Sequence, residues 1–156
     1  MIKKLYGVMV IAGALCVSVC KASEADVTSS MNEFLTALHD LDLQRMHNCF
    51  ADDLTVFQHS GDTLTRIDSK DELRKALEPT IAFIREAVSK QGRTSPPYHD
   101  VGARDMRVQM LSDDAAIVTF VMPNPTFVRR LSAVYARRDG NWKIVHMHTS
   151  TRNRPK

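Results

Sequence analysis

The side chains in this sequence that can do chemistry fall into four groups. His146 and His148 lie two positions apart, which on a strand puts both imidazoles on one face and lets them meet one metal ion. A metal centre needs at least a third ligand, and none is evident beside the pair; a carboxylate or His would have to come from elsewhere, with His59 and His99 as the unplaced candidates. No metal site is therefore assigned, and the pair stays its only alternative. The alternation of a half-buried strand accounts for the spacing by itself, with Trp142, Ile144, His146, His148 and Ser150 on one face and the imidazoles hydrogen-bonded to neighbouring strands or to a partner subunit. His59 and the run Tyr98-His99-Asp100 are the candidate general acids or bases. Such groups work when an apolar wall desolvates them and shifts their proton affinity toward the working range. No motif assigns a catalytic role to any of the four. Cys49, beside Phe50 in an apolar-periodic stretch, reads as a core thiol without an activating neighbour. Asp52 and Asp53 read as structural, turning the chain between a helix and a strand. No cofactor is expected.

These residues must be held by one domain, since 156 residues with 44% hydrophobic and 25% charged side chains suit a single core. The N-terminus is read separately. Lys3 and Lys4 precede an uncharged run from Leu5 to Cys20, and Cys20-Lys21-Ala22 offers a cleavage site before Ser23. Residues 1–22 read as a signal peptide and 23–156 as the mature domain, periplasmic or secreted and not membrane-bound after cleavage. The run is shorter than the roughly 20 apolar residues of a membrane span. Val17-Ser18-Val19-Cys20 resembles a lipobox, but Val19 stands where Gly, Ala or Ser belongs. Cleavage removes Cys16 and Cys20, so no disulfide can form within the mature chain. It also removes three lysines and no acid, leaving 18 basic and 18 acidic residues. A net charge of zero excludes a general nucleic-acid-binding surface. Residues 23–100 hold 14 acids and 8 bases and residues 101–156 hold 4 and 10, a split read as solvated helix faces against solvated strand faces.

The pattern changes once along the chain, from helical to strand period. Val27, Met31, Phe34, Leu35 and Leu38 predict a helix over about 24–39. Asp42 caps a short second helix with Leu43, Met46 and Phe50 on its apolar face, and a first strand runs from Leu54 to His59. A turn at Ser60-Gly61-Asp62 leads to a short strand over 64–67. Ser69 with Glu72 predicts the start of a third helix, with Pro79 kinking or restarting it. Beyond the Gly92 to Pro97 loop the period is two. Strands are expected over about 106–110, 115–122, 127–138 and 142–151, the last two joined at Asp139-Gly140-Asn141.

The segment Phe50-Ala51-Asp52-Asp53-Leu54-Thr55-Val56-Phe57 and the ending Asp139-Gly140-Asn141-Trp142-Lys143-Ile144-Val145-His146-Met147-His148-Thr149-Ser150 resemble the SnoaL-like branch of the nuclear transport factor 2-like superfamily. The ending is also similar to the association domain of calcium/calmodulin-dependent kinase II. The resemblance implies an α+β, cone-shaped fold in which three helices pack on a curved antiparallel sheet. It further implies a pocket between the layers and a homodimer through the outer sheet face. In the kinase-associated relatives three arginines point into the pocket, and the corresponding positions here are the uncharged Met122, Ala133 and Thr149. The implied pocket wall is Phe120, Met122, Leu131, Ala133, Tyr135, Met147 and Thr149. Such a wall suits a hydrophobic small molecule and disfavours an anionic peptide or phosphate. The fold hosts many activities. The expectation is an exported small-molecule-binding domain, with acid/base isomerase, cyclase or dehydratase chemistry, or alternatively a non-catalytic oligomerisation module.

Overall fold

The computed structural model describes residues 23–60, 63–98 and 100–154; the segment read as a signal, with Cys16 and Cys20, lies outside the described residues. Helix α1 (Glu24–His39) opens on a reciprocal cap in which the Ser23 hydroxyl accepts from the Asp26 N–H and the Asp26 carboxylate accepts from the Ser23 N–H. Its stripe of Val27, Met31, Phe34 and Leu35 is buried. Asp42 caps α2 (Leu43–Asn48) through the Arg45 N–H. Between the two helices Leu41 takes a left-handed φ of 51° and is fully buried. Its carbonyl accepts from the Arg85 guanidinium, so the tight reversal is held from α3.

Strand β1 (Phe50–Ser60) begins four residues before the expected Leu54, because Phe50 leaves the apolar face of α2 to pair with Ile144 of the last strand. The hairpin partner β2 (Thr63–Ile67) follows, then α3 (Lys70–Ser89), capped by the Ser69 hydroxyl. Pro79 does not restart α3, which is assigned unbroken through it. Pro79 and Lys75, whose carbonyl loses its N–H partner, both lie on the exposed side of the helix. The remaining strands are β3 (Arg104–Ser112), β4 (Ala115–Pro123), β5 (Phe127–Arg138) and β6 (Asn141–Asn153). The β5–β6 turn uses positive φ at Asp139 and Gly140, 51° and 77°, the geometry of a two-residue hairpin loop.

The six strands lie in the order β2-β1-β6-β5-β4-β3 as one curved, unclosed sheet beneath the helices, the cone-shaped α+β fold expected. The sheet is not wholly antiparallel. β1 and β6 run parallel, since β6, the end of a meander, returns alongside the first strand in the same direction. A bulge in β6 also overturns the expected face assignment. Tyr135 pairs with Ile144 and Val134 with His146, so Val145 is the extra residue. The slip turns Trp142 and Ile144 to the buried face with Met147 and leaves His146 and His148 on the other.

Candidate functional site

The inner sheet face is built by alternation. In β4 the residues Ala116, Val118, Phe120 and Met122 are buried and their neighbours only half so. Opposite them β5 places Tyr135, Ala133, Leu131 and Arg129, and β6 continues the rows with Ile144, Met147, Thr149 and Thr151. The seven residues of the implied pocket wall therefore share this face. Six of them are at most 8% exposed, while Thr149 is half-buried. They join one core with the helices, and the Tyr135 hydroxyl donates to the Met31 sulfur at 3.1 Å. Burial pushes the Tyr135 phenol far above its ordinary pKa and the Cys49 thiol up to about 11, so both are neutral at physiological pH.

Arg129 is the residue that sequence reasoning missed. It stands on the inner face opposite Met122 and Thr151, half-buried, with its guanidinium 5.4 Å from the Phe127 ring centre. Its Nε is enclosed and has no hydrogen-bond partner, and no carboxylate pairs with it among the described residues. The alternation Arg129-Leu131-Ala133-Tyr135 carried the signal, one step beyond the stripe read as apolar.

The acid/base candidates are not assembled on that face. Tyr98 is half-buried in the loop before β3; its N–H donates to the His39 carbonyl and its ring lies under the Arg85 guanidinium at 5.7 Å. It lines a groove of about 610 Å³ between the Asp40–Gln44 corner and α3, separate from the pocket wall. Asp100 is exposed and accepts from the Gly102 N–H at 2.8 Å, a turn ahead of β3, which begins at Arg104, two residues before the expected 106. His59 sits near the end of β1, paired with Leu64, and His99 lies outside the described residues. A second concave site, about 480 Å³, is formed by Val128, Arg152, Asn153 and Arg154.

His146 and His148 occupy the outer face beside Phe57, whose ring centre is 5.9 Å and 6.3 Å from theirs. The Nδ1 of His146 shares a 2.7 Å hydrogen bond with the Thr55 hydroxyl on β1, and His148 is exposed. Among the described residues no group of three or more His, Cys, Asp or Glu converges on a metal-sized site. Asp52 and Asp53 are exposed and pair with Lys70 and Arg138, which ties β1 to α3 and to the β5–β6 hairpin.

A family model described as a SnoaL-like domain matches residues 27–153. No curated protein matches the chain. Among solved structures it is similar to an NTF2-like protein of unknown function from Pseudomonas putida KT2440, at TM-score 0.63 and 19% identity over 81% of this chain and 84% of that one. It is also similar to a ketosteroid isomerase-like protein from Shewanella frigidimarina NCIMB 400, at TM-score 0.60 and 15% identity over 81% and 96%. A calcium/calmodulin-dependent protein kinase II association domain-like protein from Xanthomonas campestris follows, at TM-score 0.55 and 16% identity over 83% and 89%. At these identities the likeness concerns the fold.

Proposed function

The chain belongs to the SnoaL-like domain family, and from that premise we propose that it is an exported domain binding an apolar small molecule that carries one anionic group. The ligand lies along the inner sheet face with its charged end at Arg129. The observation that carries the reading is this half-buried guanidinium, with an enclosed Nε lacking a partner, at the margin of an apolar wall. A cation so placed favours a carboxylate or similar acceptor, which would satisfy its free donors. Met122 opposite it, and Met147 farther along the same face opposite Ala133, have unbranched side chains that can adapt to an entering chain. Binding needs no acid or base, and neither Tyr135 nor Cys49 ionises near neutral pH.

Calorimetric titration of residues 23–156 with decanoate and with decanol tests the reading. Decanoate is expected to bind more tightly, and Arg129→Ala to erase the preference by about tenfold, consistent with a charged hydrogen bond of about 1.5 kcal/mol or more. Equal affinity for the two ligands, or none for either, sinks it. Export is supported by the signal-like residues 1–22 and is checked by N-terminal sequencing of an exported fraction, expected to begin near Ser23.

A second reading, the non-catalytic association module, is favoured by the tight burial of six of the seven wall residues, which need no ligand to fill them. Light scattering separates the two in part: a large ring supports the module, while a homodimer leaves the ligand reading standing.

A further inference from the structure

The inner stripe of β5 carries an arginine at each end. Alternation places Arg137 on the same face as Tyr135, Ala133, Leu131 and Arg129, and it pairs in register with Trp142 of β6. Its guanidinium carbon stands 5.4 Å from the indole ring centre, and Trp142 is only 7% exposed. Both the Trp142 Nε1 and the Arg137 Nε are enclosed and have no hydrogen-bond partner. An indole N–H and a guanidinium can only donate, so the two side chains cannot satisfy each other. Asp53, the carboxylate that reaches this hairpin, pairs with Arg138 instead at 2.7 Å, and no carboxylate lies within ion-pair distance of Arg137 among the described residues. Arg137 itself is half-buried, so the place borders solvent. It lies at the β5–β6 hairpin, away from Arg129 and from the outer sheet face through which the family resemblance implies assembly.

We propose that Arg137 and Trp142 form a second binding site, which takes the carboxylate of a short monocarboxylic acid. An ionised carboxylate only accepts, and so matches a pair that only donates. Two N–H···O bonds of about 2.9 Å that meet on one acceptor span up to about 6 Å, the scale of the separation between guanidinium and indole. Water fits less well, because it needs acceptors as well as donors and this pair offers donors alone. A single guanidinium balances one negative charge, whereas a dianion such as phosphate would bring an uncompensated charge into an enclosed place. The tail must be short. Tyr135 and Ile144, next along the face, are at most 1% exposed and give a long chain no room. The site is independent of the ligand reading at Arg129, at the other end of β5.

Butyrate is the probe, with butyramide and inorganic phosphate as comparators at constant ionic strength. Trp142, the single tryptophan of the chain, reports from inside the site. Butyrate is expected to shift the Trp142 emission saturably, and neither comparator to do so at the same concentrations. Arg137→Gln should weaken butyrate by about tenfold, and Arg137→Lys should recover only part, since the fork is lost. Trp142→Phe keeps most of the ring and removes the N–H, so calorimetry should show a loss of about fivefold. Arg129→Ala should leave butyrate binding unchanged, whatever becomes of decanoate. Because Arg137→Lys keeps the charge and most of the stem, a poorly folded Trp142→Phe does not remove the test. The proposal is overturned by no shift with butyrate, the result if water alone fills the place, by equal binding of butyramide, or by tighter binding of phosphate. An affinity unmoved in Arg137→Gln would likewise overturn it, and so would an equal loss in Arg129→Ala, as butyrate would then sit at the other end of β5.

Discussion

His47 is half-buried with its Nε2 enclosed and unpartnered. Burial above all, then the nearby Lys70 and Arg74, lowers its pKa below the ordinary 6.5, outweighing the opposite pull of Asp71 and Asp52. A histidine whose folded pKa is depressed takes a proton in the unfolded chain first. Its contribution to stability is therefore present above pH 6.5 and is lost as pH falls from there toward the folded value, where the slope ends. His47→Gln is expected to flatten the dependence of urea midpoint on pH between about 7 and 5. An unchanged slope would mean that His47 keeps solvent-like titration. His146 is a different case, because the short bond it shares with Thr55 gives its ring a fixed role between strands. That bond was legible in outline, as a histidine tied to a neighbouring strand, while Arg129 was not. Three uncharged positions at Met122, Ala133 and Thr149 made the wall read as wholly apolar, although the stripe of β5 runs on to a guanidinium.

Proline inside α3 is the element-scale exception. Its missing N–H and its ring cost a helix interior about 3 kcal/mol, and here the site is exposed, so no packing offsets that cost. Pro79→Ala should raise stability by about 1–3 kcal/mol in urea titrations. A loss of stability would show that α3 relies on the rigid residue. The sequence period placed α1, β5 and the Asp139-Gly140 hairpin at their observed bounds, because capping, alternation and positive φ are local properties. It misplaced what depends on partners far along the chain. Phe50 fits the apolar face of α2 equally well, and only its pairing with Ile144 assigns it to β1. Val145 gives no local sign of a bulge either. Yet that single extra residue decides that Trp142 and Ile144 look inward while His146 and His148 look out.

At the scale of the molecule the helices have no core of their own. Val27, Met31 and Phe34 of α1 and Leu73 and Ile81 of α3 belong to the same buried cluster as Phe120, Leu131, Tyr135 and Met147 of the sheet. Of the long-range ties, Met31 to Tyr135 and Asp52 to Lys70 join helices to sheet, while Leu41 to Arg85 stays within the helical layer and Asp53 to Arg138 within the sheet. The surface pairs contribute little each, so the shared apolar core must couple the layers. Trp142 is the single tryptophan of the chain, buried at the start of β6 with the Arg137 guanidinium 5.4 Å from its ring centre. Its fluorescence therefore follows the sheet, whereas far-UV circular dichroism near 222 nm is dominated by α1 and α3. If one core holds both layers, the two signals trace one transition in urea with the same midpoint and slope. Dichroism that fell at lower urea than the fluorescence would show the helices leaving an intact sheet, and would mean that the inner face can be uncovered without unfolding the strands.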